Sequence, residues 1–305
     1  MTPKQEIRKS YIFNRYTIIA PGRDLRPRDI EEFASEKKGG YCPFCRKNLP
    51  DNLFLDRVKA GKDEVVAIKN IFPALSYNAP LAYGDQEVIV ETKLHNKKMA
   101  DFSEELIKAT LEINIRRATE LLKNPKINYA LCFKNQGPSS GASLKHPHSQ
   151  NFASAFVPPL VKEELAVLKK YRSTLKSCAY EDILKAELKS PRKIYSDKYV
   201  GVFAPYASEY HFEAWILTKR HVSNPADLTE LELLSLAKAL KILVKKMAKL
   251  NISFNYFFQV VKKNNDQHFY IKFQPRDAIW AGVELGAGLP VNSVAPETAA
   301  KYYRQ

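Results

Sequence analysis

Apolar and polar positions alternate, or run apolar without break, in seven short stretches rich in Val, Ile, Tyr and Phe. They are 64–69 (EVVAIK), 86–92 (QEVIVET), 128–134 (NYALCFK), 199–205 (YVGVFAP), 212–218 (FEAWILT), 254–261 (FNYFFQVV) and 268–274 (HFYIKFQ). Such runs, bounded by turn formers, predict strands. Apolar residues recur at helical spacing over 103–123, 161–177 and 228–250, which predicts helices. Ser103 and Thr229 stand where an N-cap belongs, with acids in the turn that follows.

The order strand–strand–helix–strand–strand occurs twice. TKLHNKKMADFSEE (92–105) resembles TKRHVSNPADLTEL (218–231) at a constant offset of 126 residues, and HPHSQ (146–150) falls opposite HFYIK (268–272). A shared motif and a shared order of elements together predict an internal duplication. The expected architecture is α+β: one mostly antiparallel sheet built by two halves, 1–175 and 176–305, with flanking helices. The stretch 176–198 is expected to join them.

Length and composition narrow the class. The 305 residues, 45% of them hydrophobic, can bury a sizeable core. No apolar run approaches the roughly 20 residues of a membrane span, and the first residues lack the apolar centre of a signal peptide. A cytoplasmic protein with no membrane partner is expected. Lys and Arg outnumber Asp and Glu 48 to 33, a net charge of +15. That excess favours anionic ligands. Its lysines lie along helices such as 238–250 rather than among aromatics, so nucleic acid is not the expected partner.

Two of six histidines fall in GASLKHPHSQ (141–150). Metal binding, catalysis and plain packing all compete for such a pair. Cys42 and Cys45 form Cys-Pro-Phe-Cys after two glycines, while Cys132 and Cys178 stand alone. Paired thiolates at this spacing suit Zn²⁺, which takes four tetrahedral N or S ligands. His95 and His146 are the best candidates to complete the set. The competing redox reading needs the motif to open a helix after a strand, whereas a turn-like KNLPDN follows. Four protein ligands leave no open position, so the expected zinc is structural.

Residues two apart on a strand share a face, so His146, His148 and Gln150 can project together. With His146 turned to zinc, His148 is left free. A neutral imidazole can attack phosphorus and form a phosphoramidate, and Gln150 can follow the phosphate charge as it shifts. Asn135, Ser139, Ser140 and Ser143 supply further donors, and Gly137 and Gly141 permit close approach of the backbone.

In these blocks the chain resembles the galactose-1-phosphate uridylyltransferase family of the histidine triad superfamily. The resemblance runs through YTIIAPGRDLRP (16–27), CPFC, KNIFPAL (69–75), the stretch 87–95, FKNQGPSSGASLKHPHSQ (133–150) and the tail 275–292. It implies a duplicated histidine-triad-like fold and a ping-pong transfer of a nucleoside monophosphate between sugar 1-phosphates. His148 would be the nucleophile, helped by Gln150 and Ser143. Cys42, Cys45, His95 and His146 would hold the zinc. Arg23, Arg26, Asn70, Phe72, Asn135, Gly141, Ser143 and Gln150 would line the nucleotide and phosphates, and Glu284 would meet the sugar. A homodimer is implied as well. A nucleotide-sugar phosphorylase or hydrolase, and a non-catalytic nucleotide- or nucleic-acid-binding module, stand as alternatives.

The second half departs from the pattern. His268, Tyr270 and Lys272 stand opposite His146, His148 and Gln150, so it cannot repeat the covalent step. Some family members hold a second metal, and Glu164, Gln259, His268 and Tyr270 are the matching positions here. No second metal is therefore expected.

Overall fold

Two eight-residue strands, β6 (Tyr129–Gln136) and β11 (Phe254–Val261), pair antiparallel along their full length, from Tyr129 opposite Val261 to Gln136 opposite Phe254. They are the seam of a ten-stranded antiparallel sheet. The computed structural model describes residues 5–21, 23 and 41–305. On one side of the seam lie β3 (Phe54–Ala60), β4 (Asp63–Lys69), β5 (Gly84–Val90) and β7 (His148–Ser154), in the order β3-β4-β5-β7-β6. The other side runs β11-β12-β10-β9-β8, from β12 (Tyr270–Pro275), β10 (Ala214–Thr218), β9 (Val200–Phe203) and β8 (Lys193–Ser196). Each half therefore has the same strand order outward from the seam.

Helices α1 (Glu104–Leu122) and α4 (Glu230–Lys249) cover one face of this sheet. Strand alternation decides which residues they meet. Ala130, Cys132, Ile89 and Val65 of one half, and Tyr256, Phe258, Ile271 and Ile216 of the other, point toward them into a single core. Both helices begin where the caps predict. Ser103 Oγ accepts from Leu106 N, and Thr229 with Glu232 closes a capping box.

The opposite face is covered unequally. In the second half, Trp215, Leu217 and Tyr270 pack under α2 (Pro159–Leu175), α3 (Ala179–Glu187) and Ile12 and Phe13. In the first half, among the described residues, Leu49, Phe44, Leu53 and Phe54 meet Val66, Ile68, Val88 and Val90, and Val161 and Leu165 of α2 meet Tyr129, Leu131 and Phe152. Helices α2 and α3 thus lie mainly over the second half. A three-stranded sheet, β1 (Glu6–Lys9), β2 (Tyr16–Ile19) and β13 (Val291–Asn292), ties the N-terminal segment to the tail. The short α5 (Gly282–Ala287) precedes β13, and α6 (Pro296–Arg304) follows it.

Each of the seven expected strands is present. Among the described residues the apolar pattern left out β1, β2, β8 and β13, none longer than four residues, β3, whose alternate charges face solvent at the sheet edge, and β7, whose sequence HSQNFAS reads as polar and is suggested only by the spacing of His146, His148 and Gln150. Asn114 on α1 explains β7. Its Nδ2 donates to Ser149 Oγ at 3.0 Å, and Asn151 Nδ2 donates to the Asn114 carbonyl at 2.9 Å. Ser149 Oγ and the Asn151 amide nitrogen thereby find partners inside the core, while Asn114 Oδ1 and Asn151 Oδ1 are buried with none. The stretch 176–198 holds α3 and β8 rather than a bare connection.

Candidate active site and metal clusters

Cys42, Cys45, His95 and His146 come together with their ligand atoms all within 4.8 Å of one another. His95 follows the end of β5, His146 immediately precedes β7, and those strands are neighbours. The Asn48 side chain donates to the Cys42 carbonyl at 2.7 Å, which folds the Cys-x-x-Cys loop back on itself. Cys42 Sγ and Cys45 Sγ lie 3.7 and 3.8 Å from His146 Nδ1, and Cys45 Sγ lies 3.5 Å from His95 Nδ1. Tetrahedral zinc, with bonds of about 2.3 Å to sulfur and about 2.0 Å to nitrogen, sets its S and N ligands roughly 3.6 Å apart. The donor set and its spacing fit that ion. His146 Nε2 donates to the Thr92 carbonyl at 2.8 Å, which leaves the Nδ1 lone pair facing the sulfurs.

His148 opens β7 and takes the opposite tautomer. Its Nδ1 lies 2.9 Å from the carbonyl oxygen of His146. A carbonyl only accepts, so Nδ1 carries the proton and Nε2 keeps a free lone pair. The ring is buried at 6% exposure, with the Phe44 ring centroid 5.0 Å away. Burial pushes its pKa down, against the opposing pull of the His146 carbonyl. Burial thus favours the neutral imidazole, the form in which the Nε2 lone pair is available.

Behind the strand, on the helix-covered face, Lys134 Nζ donates to Glu91 Oε2 at 2.5 Å and to the His148 carbonyl at 3.2 Å. Both side chains of this pair are within 1% of complete burial. The pair pins the backbone of the residue that carries the free ring.

Gln150 lies two residues along the same face and accepts from Gln86 Nε2 at 2.8 Å. Gly137 and Gly141 adopt φ of +89° and +82°, and bracket the turn Pro138–Ser140. Asn135 accepts from Asn255 Nδ2 at 2.7 Å, and the same amide donates to the Ser140 carbonyl at 2.9 Å. Strand β11 of the second half thus holds a loop of the first. Ser143 is exposed on the segment leading to His146.

Asn70 Oδ1 accepts from Phe72 N at 2.9 Å, and Phe72 is 86% exposed. Arg23 is exposed, with its N–H on the Ala20 carbonyl at 3.0 Å. Arg26 lies outside the described residues. Glu284 sits on α5, where its Oε2 accepts from Ala281 N at 2.9 Å. Among the described residues no hydrogen bond ties Glu284 to the His148 group.

The second half differs from expectation. Glu164, Gln259 and Tyr270 make a closed hydrogen-bonded network. Gln259 Nε2 donates to Glu164 at 3.0 Å and to Tyr270 OH at 2.7 Å, and Tyr270 OH donates to Glu164 Oε2 at 3.0 Å. Tyr180 OH bonds the other Glu164 oxygen. These three do not converge with His268. That ring joins Cys178, Glu181 and His221 instead, in a cluster whose ligand atoms all lie within 4.8 Å. Cys178 Sγ and His221 Nδ1 are 3.6 and 3.3 Å from His268 Nδ1. The expectation of no second metal considered Glu164, Gln259, His268 and Tyr270, whereas the residues that gather and could hold an ion are Cys178, Glu181, His221 and His268. The available signal was Cys178-x-x-Glu181, the spacing of Cys42 and Cys45 with a carboxylate in place of one thiolate. Sequence reasoning also missed Gln86, Glu91, Lys134 and Asn255, which carry no motif.

Residues 27–154 match a family described as "Domain of unknown function (DUF4931) N-terminal domain". An ADP-glucose phosphorylase of Arabidopsis thaliana is 31% identical, covering 98% of this chain and 92% of that one. A galactose-1-phosphate uridylyltransferase of Thermotoga maritima is 27% identical, over 98% of each. The crystal structure of an Arabidopsis thaliana ADP-glucose phosphorylase with bound ADP-glucose superimposes with a TM-score of 0.86, at 30% identity over 99% of both chains. Among the described residues no helix is long and apolar enough to cross a membrane.

Proposed function

The chain belongs to the family of galactose-1-phosphate uridylyltransferase and ADP-glucose phosphorylase, and on that footing we propose that it transfers a nucleoside monophosphate from a nucleotide sugar through a covalent nucleotidyl-histidine. The observation that carries this reading is the tautomer of His148. With Nδ1–H on the His146 carbonyl, the Nε2 lone pair attacks the α-phosphorus. The N–P bond forms as the bond from that phosphorus to the bridging oxygen breaks, and the sugar 1-phosphate departs with the electron pair. An oxygen of the acceptor phosphate then attacks the same phosphorus and releases Nε2. Developing charge on the imidazole is shared with the His146 carbonyl, and the Gln150 amide meets the phosphate oxygens.

The acceptor is a hexose 1-phosphate in the principal reading. Inorganic phosphate is the second, favoured by the 31% identity to the ADP-glucose phosphorylase. Ser143, Asn135 and Gly141 would line the phosphates, and Asn70, Phe72, Arg23 and Arg26 the nucleoside. Glu284 would reach the sugar across a homodimer, since Ile279, Val283 and Leu285 in the same tail are exposed apolar residues. Cytoplasmic residence accords with nucleotide sugars as substrates.

Zn²⁺ on Cys42, Cys45, His95 and His146 would act structurally, by holding the Cys loop against the segment that presents His148. The cluster of Cys178, Glu181, His221 and His268 would take an ion of the same class, with a carboxylate in place of one thiolate.

Incubation of the protein with UDP-glucose or ADP-glucose, acid quench and intact-mass measurement tests the proposal. One nucleoside monophosphate per chain is expected, absent in His148→Asn. An unmodified wild-type mass with both nucleotide sugars rules the covalent reading out.

A further inference from the structure

The side chain of Gln86 is wired to Gln150 in a single direction. Gln86 lies on β5 and is half-buried. Its Nε2 donates to Gln150 Oε1 at 2.8 Å, and its Oε1 accepts from the backbone N–H of Ala74 at 3.0 Å. Its main-chain carbonyl also accepts from Asn70 N at 3.3 Å. The polarity of this relay is forced. A peptide N–H only donates, so Gln86 turns its oxygen to Ala74 and its NH₂ to Gln150. Gln150 must answer with its own oxygen, which leaves its NH₂ for whatever lies on its other side.

We propose that Gln86 is a positioning residue, which locks the Gln150 amide with its NH₂ toward the substrate phosphate and couples that orientation to the Asn70–Ala74 loop. The inference rests on the reading of His148 and Gln150 given above. An amide turned the other way would set a carbonyl oxygen against an anionic phosphate oxygen, replacing an attraction by a repulsion. Two forms of Gln150 of equal shape thus differ in function, and shape alone cannot choose between them. The choice comes from Ala74, on the loop whose exposed Phe72 stands ready for the nucleoside. Order in that loop and order at the phosphate are then one event.

Gln86→Glu and Gln86→Ala separate positioning from support. The glutamate has nearly the same shape and still accepts from Ala74, but it can only accept from Gln150. It would draw the Gln150 NH₂ to itself and aim the oxygen at the phosphate. The alanine leaves Gln150 free to turn either way. The measurement is single-turnover formation of the nucleotidyl-protein at saturating UDP-glucose or ADP-glucose, by quench and intact mass, on the full chain. The rate is expected to fall roughly 3- to 10-fold in Gln86→Ala and ~100-fold or more in Gln86→Glu, the scale on which one oriented donor counts. In a Gln150→Ala background, Gln86→Glu is expected to cost no more than about 3-fold, because the residue through which it acts is gone.

A glutamate variant as fast as the alanine variant overturns the inference. So does an equal cost of Gln86→Glu with and without Gln150, which would make the effect one of charge alone. Wild-type protein that takes up no nucleotide from either sugar overturns both this inference and the reading beneath it. Normal wild-type labelling with the reversed order of variants overturns the inference alone.

Discussion

His268 repeats the posture of His146. Each ring donates through Nε2 to a threonine carbonyl, Thr218 at 2.9 Å and Thr92 at 2.8 Å, and each turns Nδ1 toward a cysteine sulfur at 3.6–3.8 Å. The partner histidines, His221 and His95, are 126 residues apart, as are the two threonines. Tyr270 stands where His148 would be, so the second half keeps the ligand geometry and lacks the nucleophile.

The metal content should follow from this. Purified protein is expected to carry two divalent ions per chain by elemental analysis. Cys178→Ser with His221→Ala should remove one and leave nucleotide labelling within about 3-fold, since His148 stands beside the other cluster. Cys42→Ser with His95→Ala should remove the other and abolish labelling. A wild-type ratio of one would deny the second cluster its ion.

The Lys134–Glu91 pair is dry. Breaking a buried pair by removing one partner costs about 3–5 kcal/mol, because the other charge is left uncompensated. Lys134→Met is expected to lose that much by urea denaturation. Adding Glu91→Leu should restore much of it, although the carbonyl of His148 loses its donor in both. A single variant as stable as wild type would show that the pair is solvated.

Gly137 combines a φ of +89° with a close approach to the second half. A Cβ built there would lie 2.3 Å from Ser253 Oγ. Gly137→Ala should strain the loop by about 1–3 kcal/mol and slow labelling at least tenfold. The melting temperature should fall by the few degrees that such strain implies for a chain of this size. Ser253→Gly in the same chain should return part of the rate. No recovery would mean that dihedral strain dominates over the clash.

Glu232 ties the start of α4 to Arg220, which holds its carboxyl below the ordinary value of 4.5. A depressed carboxylate stabilises the fold above its unfolded pKa, and that contribution is lost as pH falls through the lower folded value. Glu232→Gln is therefore expected to cost about 1 kcal/mol at pH 7, the scale of a capping contact. Measured again in acid, the cost should shrink as pH drops below the ordinary value and through the lower folded one. An equal cost at both pH values, from urea midpoints, would show that charge plays no part.

The sequence by itself determined the seven strands with clear apolar pattern, the two capped helices and the duplication. It also picked out Cys42, Cys45, His95 and His146 as one metal set and His148 as the ring left over. The strands, caps and repeat are local or recur at a fixed offset, so spacing carries them, whereas the gathering of Cys42 and Cys45 with His95 and His146 is a property of the fold. The tertiary structure decided the rest. β7 is polar along the chain, and counts as a strand because Asn114, on another element, gives Ser149 and Asn151 partners on its inner side. Gln86, Glu91, Lys134 and Asn255 reach the site across strand pairings whose registers are set by the packing of the whole sheet. The second cluster joins Cys178 and Glu181 to histidines 40 and 87 positions further along the chain from Glu181. Only the fold of α3 against the second half brings them within a bond's reach of a common ion, because direction and distance between such remote side chains are properties of packing and not of order.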